Sequence, residues 1–170
     1  VFLLTFFILL SQVFTSSFAL ADNKVPFTIF HTNDMHGRLG YEEYKGKPTS
    51  FGSAREKALI DKEKKENPNR TVIALDAGDA FQGLPVSNQS KGQDMAKAMN
   101  EIGYKAMAAG NHEFDFGLDT VEKYKNNPQN GGWLNFPILS TNVYKDGKRL
   151  FEPSTIINEN GVKIGIVGVT

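Results

Sequence analysis

Three stretches of the sequence share one layout, an apolar run that ends in Gly, Asp, Asn and His. They are FTIFHTNDMHGR (27–38), TVIALDAGDAFQG (71–83) and KAMAAGNHEFDFG (105–117). Their polar ends offer Asp34, His36, Asp79, Asn111 and His112. Hard and borderline cations prefer that mixture of carboxylate, imidazole and amide carbonyl. Asp34 and His36 are two residues apart, so an extended segment turns both to the same side. Gly78 and Gly110 let the chain turn tightly just before Asp79 and Asn111. Two cations about 4 Å apart that share one carboxylate can hold both the attacking and the leaving oxygen of a phosphoryl transfer. The donors can act together only if the three stretches end at one place. In an open α/β sheet, ligands collect beyond the carboxyl ends of the strands, and that geometry would bring these ends together.

Each residue also has a plainer role open to it. Asp after a strand commonly caps a helix, so Asp34 or Asp79 alone reads as a cap or turn residue. Asn111 and Glu113 suit a loop closing onto a helix at Leu118, with Asp115 as its cap. His31, inside a strand run, reads as a packed or pairing residue, Trp133 as a covering side chain, and Met95 and Met99 as core. The Gly40–Lys47 segment resembles a phosphate-binding loop only superficially, because its glycines are wrongly spaced and Pro48 follows Lys47. What favours the metal chemistry is three such loops in order, each at a strand end.

The elements that must position these loops are read from periodicity. Strands are expected over Val25–His31, Thr71–Leu75, Lys105–Ala109 and Pro137–Val143. Helices are expected over Ser53–Lys65, with Ala54, Ala58 and Leu59 on its apolar side, over Asp94–Ile102, and over Leu118–Lys125. A hairpin is expected from Thr155–Ile157 and Val162–Val169, around Asn158–Gly161. Strands alternating with helices imply βαβ units and a largely parallel sheet.

Composition narrows the function. The chain has 170 residues, 40% apolar, with 19 basic and 19 acidic side chains, so no net charge argues for nucleic acid as a partner. It has no cysteine, which excludes a disulfide scaffold, a zinc finger, an iron–sulfur centre and a thiol nucleophile. Residues 1–21 carry no charge and end in Ala19-Leu20-Ala21, a small-x-small site. They read as a secretory signal peptide cleaved after Ala21, with the sequence starting inside it. Gln12 and the polar cluster at Thr15–Ser17 interrupt the stretch, which argues against a membrane anchor. The mature chain is therefore expected at 22–170, secreted, with no transmembrane anchor.

HTNDMHGR, LDAGDAFQG and GNHEFDFG together resemble the signature blocks of the 5′-nucleotidase family within the dinuclear metallophosphatases, the calcineurin-like phosphoesterases. The resemblance spans most of the chain after residue 21. It implies an α/β fold, the metallophosphatase βαβ sandwich, C-terminally truncated at Thr170. It implies that Asp34 and His36 bind a first metal, that Asp79 bridges two metals and that Asn111 binds the second. His112 and Asp115 match the family's catalytic pair, in which His stabilises the transition state or protonates the leaving group and Asp orients the ring. The implied cofactors are two divalent ions among Mn, Zn, Co, Mg and Ca. The implied activity is hydrolysis of phosphate esters of extracellular nucleotides by metal-activated water. Nucleoside monophosphates, nucleotide sugars and 2′,3′-cyclic nucleotides are the substrate classes. The family's two later His ligands and its His-x-Gln segment have no counterpart, because the histidines are His31, His36 and His112. The chain alone is thus expected to bind metal weakly and to turn over little. The alternative is a non-catalytic secreted surface or binding protein that retains the fold.

Overall fold

The apolar runs of the three loop-bearing stretches become adjacent strands of one sheet. The computed structural model describes residues 24–170, so the expected signal peptide at 1–21 lies outside the described residues. In chain order the strands are β1 (Phe27–Thr32), β2 (Glu42–Tyr44), β3 (Lys47–Ser50), β4 (Thr71–Asp76), β5 (Ala106–Ala108), β6 (Ile138–Leu139), β7 (Tyr144–Lys145), β8 (Lys148–Arg149), β9 (Ser154–Glu159) and β10 (Val162–Val167). The helices are α1 (Ser53–Glu66), α2 (Pro85–Asn88), α3 (Gln93–Ile102) and α4 (Leu118–Lys125), with 3₁₀ turns at His112–Phe114 and Pro128–Asn130.

The main sheet runs β1-β4-β5-β6, every neighbouring pair parallel. Thr32 lies opposite Asp76, and Asp76 opposite Met107, so β1, β4 and β5 end level with one another. That level edge makes the three loops neighbours. β4 is buried on both faces, as a central strand of a parallel sheet must be.

The core joins β4, β5 and β6 to α3 and α4. Val72, Ala74, Met107 and Ile138 meet Met95, Met99, Ile102, Val121 and Tyr124. Burying each Val, Ile or Met side chain among these stabilises the fold by about 1.5–3 kcal/mol. Phe81, at the end of the second loop, stacks on Tyr124 with ring centres 4.2 Å apart, which anchors that loop in the core.

Helix α1 departs from the expected pattern. Ala54, Ala58 and Leu59 are exposed, and Ile60 is the buried residue of the helix. Polar contacts hold α1 in its place instead: Thr28 Oγ1 donates to Glu63 Oε1 at 3.1 Å, and Tyr104 donates to Glu56. The expected strand at Pro137–Val143 shortens to two residues, because Ser140 and Thr141 donate to Glu152 and Gly168 outside the main ladder. His31 pairs opposite Leu75 as expected, with its side chain on the exposed side of β1. Trp133 covers Tyr124 edge-on at 5.6 Å.

Three antiparallel hairpins surround the sheet, β2–β3, β7–β8 and β9–β10. Each turns on a residue–Gly pair with positive φ at both positions: Lys45-Gly46, Asp146-Gly147 and Asn160-Gly161. Such pairs match the twist of two-residue hairpins. Among the described residues no helix is long and apolar enough to cross a membrane.

Candidate metal centre

Loop one (33–38), loop two (77–84) and loop three (109–117) leave β1, β4 and β5 side by side. Loops one and two are laced by their backbones. Asp34 N–H donates to the Gly78 carbonyl at 3.0 Å, His36 N–H to Asp79 at 2.9 Å and Gly37 N–H to Ala80 at 2.9 Å. In return Leu84 N–H donates to the His36 carbonyl at 2.9 Å. Asp34, His36 and Asp79 all take left-handed backbone conformations, with φ of 51°, 48° and 58°. Such conformations cost non-glycine residues on the order of 1–3 kcal/mol and concentrate at functional sites.

Loops two and three meet differently. A Cβ on Gly78 would lie 2.6 Å from Gly110 N, and one on Gly110 would lie 2.6 Å from Asp79 N, so two glycines are what let the backbones touch. Glu113, fully buried, then accepts three backbone N–H groups: Asp79 at 2.9 Å, Ala80 at 2.9 Å and Gly110 at 2.7 Å. Burial pushes the Glu113 carboxyl up, while those three N–H donors favour its ionised form. Asp79 Oδ1 accepts the His112 N–H at 2.9 Å, a second tie across the same boundary.

The result is a cluster of donors. One ligand atom from each of His36, Asp79 and His112 lies within 4.8 Å of the other two. The two imidazoles stand edge to face, 5.1 Å between centres. Asp34 borders the cluster, its Oδ1 3.8 Å from His36 Nε2. His36 Nδ1 is 2.8 Å from the Gln82 carbonyl, which can only accept, so Nδ1 carries a proton and Nε2 is the nitrogen turned to the cluster as a possible ligand atom. This carbonyl partner is of the kind that orients metal-binding histidines. His112 Nδ1 lies 2.7 Å from Asp115 Oδ2, and that contact raises the His112 pKa. Asn111 stands exposed at the head of the 3₁₀ turn, directly before His112. Asp115 does not cap α4, since Gly117 holds that position; it closes the 3₁₀ turn and pairs with His112 instead. Carboxylate and imidazole donors with no thiolate fit a hard or borderline divalent cation.

Beneath the loops runs a second polar set that spacing does not announce. Asp76 Oδ1 accepts the Gly78 N–H at 2.8 Å, and its Oδ2 lies 2.7 Å from the Thr32 hydroxyl. Thr32 is 2.7 Å from the Tyr104 hydroxyl, which bonds to Glu56. Three oxygen–oxygen contacts share only two hydroxyl protons, so a carboxyl supplies the third. Burial pushes Asp76 up to about 7 and raises Glu56 as well. Sequence reasoning misses Glu113 and this set. The only signal for Glu113 is an acid flanked by His112 and Phe114, too little to tell a buried clamp from a loop residue.

The family model described as calcineurin-like phosphoesterase matches residues 27–166. A 5′-nucleotidase of Vibrio parahaemolyticus is 40% identical over 154 residues, covering 88% of this chain and 26% of that protein. The crystal structure of a 5′-nucleotidase precursor from Thermus thermophilus superposes with a TM-score of 0.67 at 34% identity, over 83% of this chain and 28% of that one. The NAD nucleotidase structure from Haemophilus influenzae gives a TM-score of 0.65 at 30% identity, over 83% and 26%. The chain thus spans about a quarter of the length of the relatives it matches.

Proposed function

The chain belongs to the calcineurin-like phosphoesterase family, and from that premise we propose that it is the metal-holding part of an exported enzyme that hydrolyses phosphate esters of nucleotides. The observation that carries this reading is the convergence of three loops, which gathers donor atoms of His36, Asp79 and His112 within 4.8 Å. Asp34 and His36 would hold one divalent cation, Asn111 would help to hold another, and Asp79 would be shared between the two. When bound, such a pair lowers the pKa of a coordinated water toward neutrality and neutralises charge on the phosphoryl oxygens.

The chain's own residues orient and protonate. Gln82 fixes the His36 tautomer that leaves Nε2 free for a cation. Asp115 holds the His112 ring through Nδ1 and raises its pKa, which leaves Nε2 as the free ring nitrogen. A proton held there can be given to a phosphoryl oxygen or to the departing alcohol. The substrate class follows the names of the relatives, 5′-nucleotidases and an NAD nucleotidase. Nucleoside monophosphates come first, with nucleotide sugars and 2′,3′-cyclic nucleotides in the same class. Residues 1–21, as a signal peptide, direct the protein out of the cytoplasm.

The test is phosphate release from AMP by the complete protein with Mn²⁺, its loss with EDTA and its return on adding metal. A complete protein that binds nucleotides but releases no phosphate with Mn, Zn, Co, Mg or Ca is a binding protein, and the enzymatic reading fails.

A further inference from the structure

We propose that Glu113 is a positioning residue that sets the spacing between loops two and three before any cation arrives, and so sets the separation of the two metal positions. The inference rests on the proposed ligand roles of Asp79 and Asn111. One carboxylate gathers the N–H groups of Asp79, Ala80 and Gly110 at 2.9, 2.9 and 2.7 Å, drawn from two loops that are otherwise far apart in sequence. It stands fully buried and touches the backbone on either side of the Gly78–Gly110 contact, so it holds both loop backbones in one geometry. Asp79 is the bridging ligand of the proposed centre and Gly110 immediately precedes Asn111. The clamp therefore acts on the two residues whose separation decides whether one pair of cations can be shared. Glu113 itself stands outside the cluster of His36, Asp79 and His112 donor atoms, and both its oxygens accept backbone N–H groups.

Glu113→Gln keeps the shape but puts an amide NH₂ where an acceptor is needed, leaving at least one buried N–H opposed by another donor. For a partner of this kind the expected loss of metal affinity is about 10- to 100-fold. The complete protein is titrated with Mn²⁺, following binding by calorimetry and the exchange-coupled signal of a Mn²⁺ pair by electron paramagnetic resonance. The inference expects weaker binding of the second Mn²⁺ and a lost or altered coupling signal in Glu113→Gln, with near-wild-type far-UV circular dichroism. A variant that is less heat-stable yet binds two Mn²⁺ with wild-type affinity and coupling overturns it, since the residue would then be structural only. Asp79→Asn is the companion variant. If it too leaves Mn²⁺ binding intact, the ligand assignment fails; if it abolishes binding while Glu113→Gln does not, the clamp alone fails. Should Glu113→Gln not fold, amide hydrogen exchange of the metal-free wild type decides. Protection of the Asp79, Ala80 and Gly110 amides before metal is added supports the clamp. Protection that appears only with metal overturns it.

Discussion

The two boundaries of the candidate centre are built from different materials. Between loops one and two most ties are backbone to backbone, four hydrogen bonds of 2.9–3.0 Å, joined by one side-chain contact from His36 Nδ1 to the Gln82 carbonyl. Between loops two and three the ties run through side chains, the Glu113 carboxylate and Asp79 Oδ1, across a contact that two glycines permit. The four backbone ties of the first boundary do not depend on side-chain type, although a Cβ on Gly83 would run into His36 there. The second can be opened by a single substitution at Glu113 or Gly110. The difference also divides the labour: loop one carries its proposed ligands on a scaffold it shares with loop two, whereas loop three is held to Asp79 by side chains.

The largest effect that separates the boundaries is expected from Gly110→Ala. Its new Cβ would lie 2.6 Å from Asp79 N, so loop three must move away from Asp79, the proposed bridging ligand. Metal-dependent phosphate release should fall at least 100-fold, whereas Gly40→Ala, which meets nothing within 4 Å, should leave it unchanged. Equal activity in the two variants would remove the steric basis of the comparison.

Next is His112→Ala, which removes the proposed proton donor but not the clamp. Turnover should drop by about 10²–10⁴, with metal content by elemental analysis close to wild type. Joint loss of metal and activity would instead make His112 a ligand.

A smaller change is expected from Asp115→Asn. Asp115 raises the His112 pKa, so its removal lowers that pKa. The alkaline limb of the pH–rate profile should move to lower pH while the metal content holds. An unmoved limb would detach Asp115 from His112.

The smallest effect concerns stability rather than catalysis. Asp76 has its folded pKa raised from 3.8 to about 7, chiefly by burial. The neutral form is favoured in the folded chain, so this contribution is fully present below about pH 4 and is lost as pH rises through about 7. Melting temperatures should therefore fall over that window, and Asp76→Asn should flatten the decline. Asn can still accept from Gly78 and donate to Thr32, so the variant should fold.

Both the loops and their convergence can be read from the sequence because each donor follows an apolar strand run and a turn-forming Gly or Asp. Core-facing Met95 and Met99 are readable for the same reason, since period and burial coincide in α3. Helix α1 is misread on its apolar face because it is held partly by Glu56 and Glu63, and polar anchoring leaves no hydrophobic period. The β2–β3 and β7–β8 hairpins escape notice because both lie exposed and their strands alternate nothing. Glu113 is hidden for a deeper reason. Two of its three partners are backbone amides 33 and 34 positions away, and backbone amides carry no residue type.

The proposed centre requires Asp79 to sit between two cations. Crystals of the complete protein grown with Mn²⁺ and measured at the manganese absorption edge locate each ion directly. Two anomalous peaks about 4 Å apart, both touching the Asp79 carboxylate, with His36 at one and Asn111 at the other, are the predicted result. A single peak, or a pair that leaves Asp79 without a contact, contradicts it.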